Sequence, residues 1–248
     1  EIHSGDWSSD VCSSDLMESP RVGAWGCRCT ERSETQGGTM LRYLLIRHGQ
    51  TDWNVSGRIQ GQSDVPLNAV GEKQVMALAK GLTSTSIDAV YASDLTRARA
   101  TAEAVVDPHG LGIRMEPRLR ELCFGEWEGS TYDELLSRIS GFEEAWEAWN
   151  ADRVHRAPPG GESLLQFSAR VEAALADVRD AHEDGTVALV SHGGSIRMVF
   201  CVLLGLPLTS YWQMSVYNTS VSEIELRERG PVVVRWNDTS HLNNGLAG

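Results

Sequence analysis

Two apolar runs, residues 41–46, interrupted only by Arg42, and residues 187–190, lack the alternation of a half-exposed strand and read as strands buried on both faces of a sheet. Between and beyond them the periodicity changes repeatedly. Asn68 stands as an N-cap before residues 69–82, where Val75, Leu78, Ala79 and Leu82 recur at helical spacing. Residues 88–92 predict a short second strand. Ser93 or Asp94 is then placed to cap a helix over 95–106, which ends before Pro108. Residues 111–115 predict a third strand, and 121–129 a loop. Residues 131–150 are helical in pattern, with Trp146 and Trp149 near the end. Residues 153–161, with two prolines and two glycines, predict another loop. Ser163 caps a long helix over 164–182. The second buried run is followed by a helix over 195–204 and by two antiparallel strands, 221–227 and 232–237. The longest apolar stretch, 198–206, falls far short of the roughly 20 residues a bilayer span needs and reads as a buried helix.

Strands alternating with helices predict an α/β fold: a three-layer sandwich with a mainly parallel central sheet flanked by helices. Residues 40–248 form one domain, with a helical insertion at about 126–162 over one edge of the sheet. Residues 1–39 lack periodicity and have no apolar segment of the kind a secretory signal carries. The run over 5–16 looks like the conceptual translation of a sequencing-adapter oligonucleotide. Residues 1–39 are therefore expected to be a non-native or disordered extension ahead of a true start at Met40, with Met17 as the alternative.

Charge narrows the partners. The 248 residues include 34 acidic and 22 basic side chains, a net charge of −12, and residues 40–248 alone still carry −8. That balance argues against nucleic acid or an anionic membrane as partner. An anionic substrate must then be met by a local cluster of cations. The five cysteines are too few and scattered for a disulfide framework, and the Cys27-x-Cys29 pair has no second ligand pair for a metal. A cytoplasmic location is the default expectation.

Candidate chemistry gathers where the strands end. Arg47-His48-Gly49-Gln50-Thr51 follows the first buried run and Ser191-His192-Gly193-Gly194 follows the second. In open α/β sheets ligands bind at the carboxyl ends of strands. A phosphate dianion needs fixed cationic donors, and arginine suits this because its planar fork bonds two oxygens and keeps its charge. Arg47 and Arg97 are the candidates. Arg97 falls in the first turn of its helix, where the helix dipole disfavours a cation unless an anion sits beside it. His48 is the candidate nucleophile, since imidazole accepts a phosphoryl group if one ring nitrogen is free and the other is fixed. His192 would donate to the transferring oxygens, and the amides of Gly193 and Gly194 open the next helix beside it. Arg99 and Arg120 are expected as surface or ion-pairing residues. His3, His109, His155, His182 and His241 are expected to be structural.

At these residues the chain resembles the histidine phosphatase superfamily, or phosphoglycerate mutase-like family, over about residues 41–243. The resemblance is carried by Arg47-His48-Gly49-Gln50-Thr51 with Trp53-Asn54, by Gly61 with Asp64, Pro66, Leu67 and Gly71, and by Ser93-Asp94-Leu95 with Arg97-Ala98. It continues through Glu121 with Gly125-Glu126-Trp127-Glu128-Gly129, Gly160-Gly161-Glu162-Ser163, and Ser191-His192-Gly193-Gly194. It implies a phosphoglycerate mutase-like fold and a phosphohistidine formed on His48. Arg47, Asn54, Arg97, His192 and Gly193 would hold the phosphoryl group, and Gln60 and Gly61 would contact substrate. Glu121 would protonate the leaving alcohol and then activate water. The resemblance implies no cofactor and no metal, the positive charge coming from the arginines and histidines.

The segment after Glu121, Leu122-Cys123-Phe124-Gly125-Glu126-Trp127-Glu128-Gly129-Ser130-Thr131, lacks the lysine of the cofactor-dependent mutases, and the insertion after it is short. Both features resemble the phosphatase branch. The tail, Asn218-Thr219-Ser220 and Asn237-Asp238-Thr239-Ser240-His241-Leu242, is similar to bacterial broad-specificity, phosphoserine and α-ribazole phosphatases. The expected function is a metal-independent phosphomonoesterase acting on a small phosphorylated metabolite. A cofactor-dependent phosphoglycerate mutase is the alternative, and a non-catalytic binding module the third reading. Phosphoserine, 3-phosphoglycerate, α-ribazole phosphate and sugar phosphates all stay open as substrates. Oligomeric state stays open too, although members of this family often form homodimers. Trp127, Phe142, Trp146 and Trp149 would either line a lid over the leaving group or pack the insertion onto the sheet. Cys123 is expected to be a packing residue.

Overall fold

A computed structural model describes residues 40–242. The expectations for residues 1–39 lie outside the described residues. Six strands form one sheet: β1 (Leu41–Arg47), β2 (Ala89–Ala92), β3 (Ile113–Met115), β4 (Gly185–Ser191), β5 (Val221–Arg227) and β6 (Gly230–Asp238). Their order across the sheet is β3-β2-β4-β1-β5-β6. The β3, β2, β4 and β1 strands run parallel, and β5 and β6 continue the sheet antiparallel. The mainly parallel three-layer sandwich is therefore observed.

The apolar runs follow from burial on both faces. Leu41, Tyr43 and Leu45 of β1, with Val187 and Leu189 of β4, point into one core with α6 (Leu164–Ala181) and α7 (Gly193–Leu204). Their neighbours Leu44, Ile46, Ala188 and Val190 point into the other core, against α2 (Ala69–Leu82) and α3 (Thr96–Val106). Side chains alternate between faces, so both faces of these strands are covered; Arg42, near the start of β1, is half-buried and pairs with Glu223 and Glu225 of β5. α2 begins where expected, with the Asn68 side chain accepting from the Val70 and Gly71 amides. Ser163 caps α6 in a capping box with Gln166.

Three expectations need correction. Neither Ser93 nor Asp94 caps α3 with its side chain; the N-cap is Leu95, which makes no side-chain cap bond. The anion that complements this helix start is Asp64, whose carboxylate accepts from the Thr96 amide and hydroxyl at 2.7 Å each. The helical stretch at 131–150 is two helices, α4 (Tyr132–Arg138) and α5 (Phe142–Ala151), divided at Gly141, whose φ of 76° is left-handed. The helix expected from 195 starts two residues earlier, at Gly193.

In the segment after Glu121, Trp127, Phe142 and Trp149 are buried; Trp127 meets Phe142 and Trp149 edge-on, and all three lie tilted against Trp146, at centroid distances of 5.2–5.8 Å. These four aromatics form a core of their own. Among the described residues no helix is long and apolar enough to cross a membrane.

Candidate active site

The sheet order puts three strand ends side by side. β4 lies between β1 and β2, with Arg47 opposite Ser191 and Ala92 opposite Val190. Each chain then leaves the sheet one residue later, at His48, His192 and Ser93. The His48 amide still donates to the Ser191 carbonyl and the Ser93 amide to the Val190 carbonyl. This register, set by hydrophobic burial far from the chemistry, brings the His48 and His192 ring centroids to 5.1 Å.

His48 is almost fully buried. Its Nδ1 lies 2.7 Å from the Gly49 carbonyl oxygen. A carbonyl only accepts, so Nδ1 carries the proton and Nε2 keeps a free lone pair. Burial, reinforced by the positive charges of Arg97 and Arg47, holds its pKa well below the ordinary histidine range. The ring is thus neutral and of fixed tautomer. Its backbone is held from outside the motif: the His48 carbonyl accepts from the Thr219 amide at 3.2 Å and from the Asn218 side chain at 3.0 Å. Thr219 has a φ of 53°, a left-handed conformation that is costly for a β-branched residue. That strain brings its amide to His48 at the turn into β5.

Arg97 is fully buried, and three of its donors are committed. Its guanidinium donates to the Ser63 carbonyl at 2.7 Å and the Gly61 carbonyl at 2.8 Å, while Nε donates to His192 Nδ1 at 3.2 Å. Two of the five N–H groups of a guanidinium remain for an anion. Arg47 donates to the Val216 carbonyl at 2.6 Å and leaves a buried Nε without a partner. Burial draws its pKa down to about 10. Arg47 as a whole is half-buried, but a donor shut off from solvent and left unused is costly to the fold, and an anion bound beside it relieves that cost.

His192 departs from its expected role. Nδ1 accepts from Arg97 and Nε2 donates to Ser93 Oγ at 2.8 Å, so both ring nitrogens are engaged. The neutral ring orients Arg97 instead of presenting an N–H of its own, and burial together with Arg97 holds its pKa well below normal. It could donate to a phosphoryl oxygen only through Nδ1, after gaining a proton as Arg97 turns to the anion. A bound dianion favours that protonation. Gly193, at the first position of α7, adds an amide facing the same edge; a Cβ there would meet Arg47 Nε at 3.5 Å.

Asn54 closes the motif locally. Its side-chain oxygen accepts from the Thr51 amide at 3.0 Å and from Asn218 at 3.3 Å. Gln60 accepts from the Thr51 hydroxyl at 3.1 Å. Gly61 has a φ of 51° and no room for a side chain, since a Cβ would sit 2.0 Å from the Glu128 carboxylate. Glu128 itself accepts from Gln62 N, Ser63 Oγ and Phe124 N, and so joins the Gly61 loop to the segment after Glu121.

The Glu121 carboxylate accepts from the Gly194 amide at 2.9 Å and the Leu122 amide at 2.8 Å. It lines a cleft of about 200 Å³ together with Gln60, Gly61, Phe124, Gly194 and Arg197, under Tyr211 and Trp212. The aromatics at the cleft are therefore Phe124, Tyr211 and Trp212, and none of the four expected as a lid lines it. Arg120 pairs with Asp94 and Arg99 with Glu103, as expected. Cys123 is half-buried, and burial pushes its thiol pKa up.

Residues 43–239 match the family model described as histidine phosphatase superfamily (branch 1). The chain belongs to the histidine phosphatase superfamily. It is 34% identical over 204 residues to "Phosphoserine phosphatase 1" of Hydrogenobacter thermophilus, covering 82% of this chain and 95% of that protein. It is also 39% identical over 210 residues to "Probable phosphoglycerate mutase GpmB" of an Enterobacter species, covering 82% and 96%. Among solved structures, the α-ribazole phosphatase from Shigella flexneri superposes with a TM-score of 0.74 at 32% identity, over 80% of this chain and 96% of that one. The phosphoglycerate mutase-like fold and a phosphatase-type enzyme thus both stand. Three residues named from the sequence support this site in roles other than those expected: Ser93, read as a helix cap, stands behind His192, and Asn218 and Thr219, read only as part of the tail resemblance, stand behind His48. Arg197 in the cleft was not singled out, and its signal was its place one turn along the helix that Gly193 opens.

Proposed function

We propose that the chain is a metal-independent phosphomonoesterase that hydrolyses a small phosphorylated metabolite, in the cytoplasm, through a phosphohistidine on His48. One observation carries this reading: a neutral, buried His48 whose Nδ1–H is spent on the Gly49 carbonyl, leaving Nε2 free under the positive charge of buried Arg97 and half-buried Arg47. In the first step the Nε2 lone pair forms a bond to phosphorus as the bond to the leaving oxygen breaks, and protonated Glu121 gives its proton to that oxygen. In the second step Glu121 takes a proton from water, the water oxygen bonds to phosphorus, and the N–P bond breaks. One carboxyl serves both steps because the second reverses the proton flow of the first. Arg47 and Arg97 hold the equatorial oxygens, whose charge is the main thing a phosphoryl-transfer site must meet.

Metal independence is supported by these two cations, which supply the positive charge a transferring phosphoryl group must meet. The mutase reading gains from the "GpmB" relatives, yet both lysines of the chain, Lys73 and Lys80, lie exposed on α2, away from the cleft. The deciding experiment is phosphate release in EDTA across a panel of small phosphomonoesters, with His48→Ala alongside. Release that His48→Ala abolishes supports the hydrolase. Interconversion of phosphoglycerates primed by a bisphosphate, with little free phosphate, would replace it with the mutase.

A further inference from the structure

The leaving-group side of the cleft holds a cation that hydrolysis itself does not use. Arg197 lies three residues beyond Gly194 on α7, so its side chain rises from the same helix face beside Glu121. It is half-buried, its Nε is shut off from solvent, and that atom has no hydrogen-bond partner. Among the described residues no carboxylate oxygen lies within ion-pairing distance of it, whereas Arg42, Arg58, Arg118, Arg120, Arg170, Arg227 and Arg235 each have one. Its guanidinium carbon sits 5.7 Å from the Tyr211 ring centre and 5.8 Å from that of Trp212. The rings shield it without supplying an acceptor.

A partly desolvated guanidinium that keeps an unused inward donor, on the wall of a small cleft, is a site for an anion. The phosphoryl group is already served by Arg47 and Arg97 at the strand ends. The cleft, at about 200 Å³, is below the ~300–1,000 Å³ of pockets for drug-sized ligands, and a compact leaving group fits it best. The geometry points to Arg197 as the residue that selects the substrate, by pairing with a carboxylate on the leaving alcohol. The favoured substrates are then phosphorylated hydroxy acids of a few carbons. This rests on the phosphomonoesterase reading and narrows it to a substrate class.

The test compares 3-phosphoglycerate with glycerol 3-phosphate, which carries a hydroxymethyl group where the acid has its carboxylate, with para-nitrophenyl phosphate as a turnover control. The chain should prefer the acid in kcat/KM. Arg197→Met should cut the acid-to-alcohol ratio about 10- to 100-fold, mostly through KM, as loss of a charge-assisted fork predicts. Arg197→Lys should recover part of it. An unchanged ratio in a folded Arg197→Met, or equal losses on all three substrates, overturns the proposal while leaving the hydrolase standing. If Arg197→Met does not fold, Arg197→Gln takes its place with the same expectations. Binding separates the two readings when turnover fails: in a His48→Ala background, calorimetric titration should show tighter binding of the acid than of the alcohol. That preference should disappear with Arg197→Met, and equal affinities before the second substitution overturn the assignment. No turnover of any ester by the intact chain counts against the hydrolase alone.

Discussion

Replacing Gly194 by alanine tests the placement of Glu121 with one methyl group. An ideal Cβ at this position would lie 1.9 Å from Glu121 Oε1 and 2.2 Å from the Tyr211 hydroxyl, where ordinary contact begins at 3.4 Å. One or both groups must therefore retreat by about 1.2–1.5 Å. Tyr211 cannot easily do so: it is 1% exposed and its ring stacks edge-on against Phe167 and Trp212. Glu121 yields instead and loses its bond from the Gly194 amide. Overpacking of this kind costs about 1–3 kcal/mol, well inside the roughly 5–15 kcal/mol that holds a domain together. Gly194→Ala should fold. A misplacement near 1 Å, however, costs on the order of 100-fold in rate when the displaced group acts in the chemical step.

The assay is kcat/KM for phosphate release from an alkyl phosphate and from para-nitrophenyl phosphate. The alkoxide needs a proton as it leaves and the nitrophenolate does not. Gly194→Ala should lose about 100-fold on the alkyl ester and much less on the aryl ester. Wild-type rates on the alkyl ester would refute the crowding argument. An equal loss on both esters would place the damage at His48 or the arginines and refute the acid role of Glu121.

Ser93→Ala leaves the buried Nε2–H of His192 without an acceptor, so it should lower stability by about 1–3 kcal/mol. It should also lower kcat/KM by at least tenfold as Arg97 loses its fixed partner, read by urea midpoints alongside steady-state rates. Acid should destabilise the chain below pH 6.5. His48 and His192 both have folded-state pKa values below the unfolded value, so above pH 6.5 neither state takes up a proton and there is no linkage. As pH falls, the unfolded chain is protonated first, and each histidine removes about 1.4 kcal/mol of stability per pH unit until its folded pKa is reached. His192→Asn should flatten the plot of unfolding free energy against pH between 6.5 and 5.5 by about that amount, and an unchanged slope would show that the ring is not held neutral.

The sequence was most legible where one local rule decided the outcome. β1 and β4 could be read because burial on both faces makes their central residues apolar, Tyr43–Ile46 and Val187–Val190, and α2 because Asn68 supplies its cap in place. The histidines followed, since they stand one residue past those strands. Legibility failed where the partner is distant in sequence. The anion at the start of α3 is Asp64, 32 residues before Thr96, so the nearer Ser93 and Asp94 looked like caps. With α3 served from elsewhere, Ser93 is free for His192 and Asp94 for Arg120. The insertion aromatics were ambiguous because burial in a private core and a lid over substrate call for the same side chains. His192 was half legible: its place at the strand end was evident, but the proton on Nε2 is set by Ser93, and no local pattern reveals that.

In the proposed reaction, the charges around His48 suit a neutral imidazole to the nucleophile's part in so acidic a chain. A phosphomonoester dianion brings two negative charges to Arg47 and Arg97, which match them one for one. Without the anion those cations bear on the histidines and keep them unprotonated. With it, the pressure falls at the moment the ring must accept charge. Attack by Nε2 makes the ring cationic, and the Nδ1–H already aimed at the Gly49 carbonyl strengthens as that charge develops. Gly49 can hold its carbonyl there because it packs without a side chain; a Cβ would lie 2.7 Å from the Gly71 carbonyl oxygen. The glycine after the histidine therefore belongs to the electrostatics of the reaction as well as to the turn.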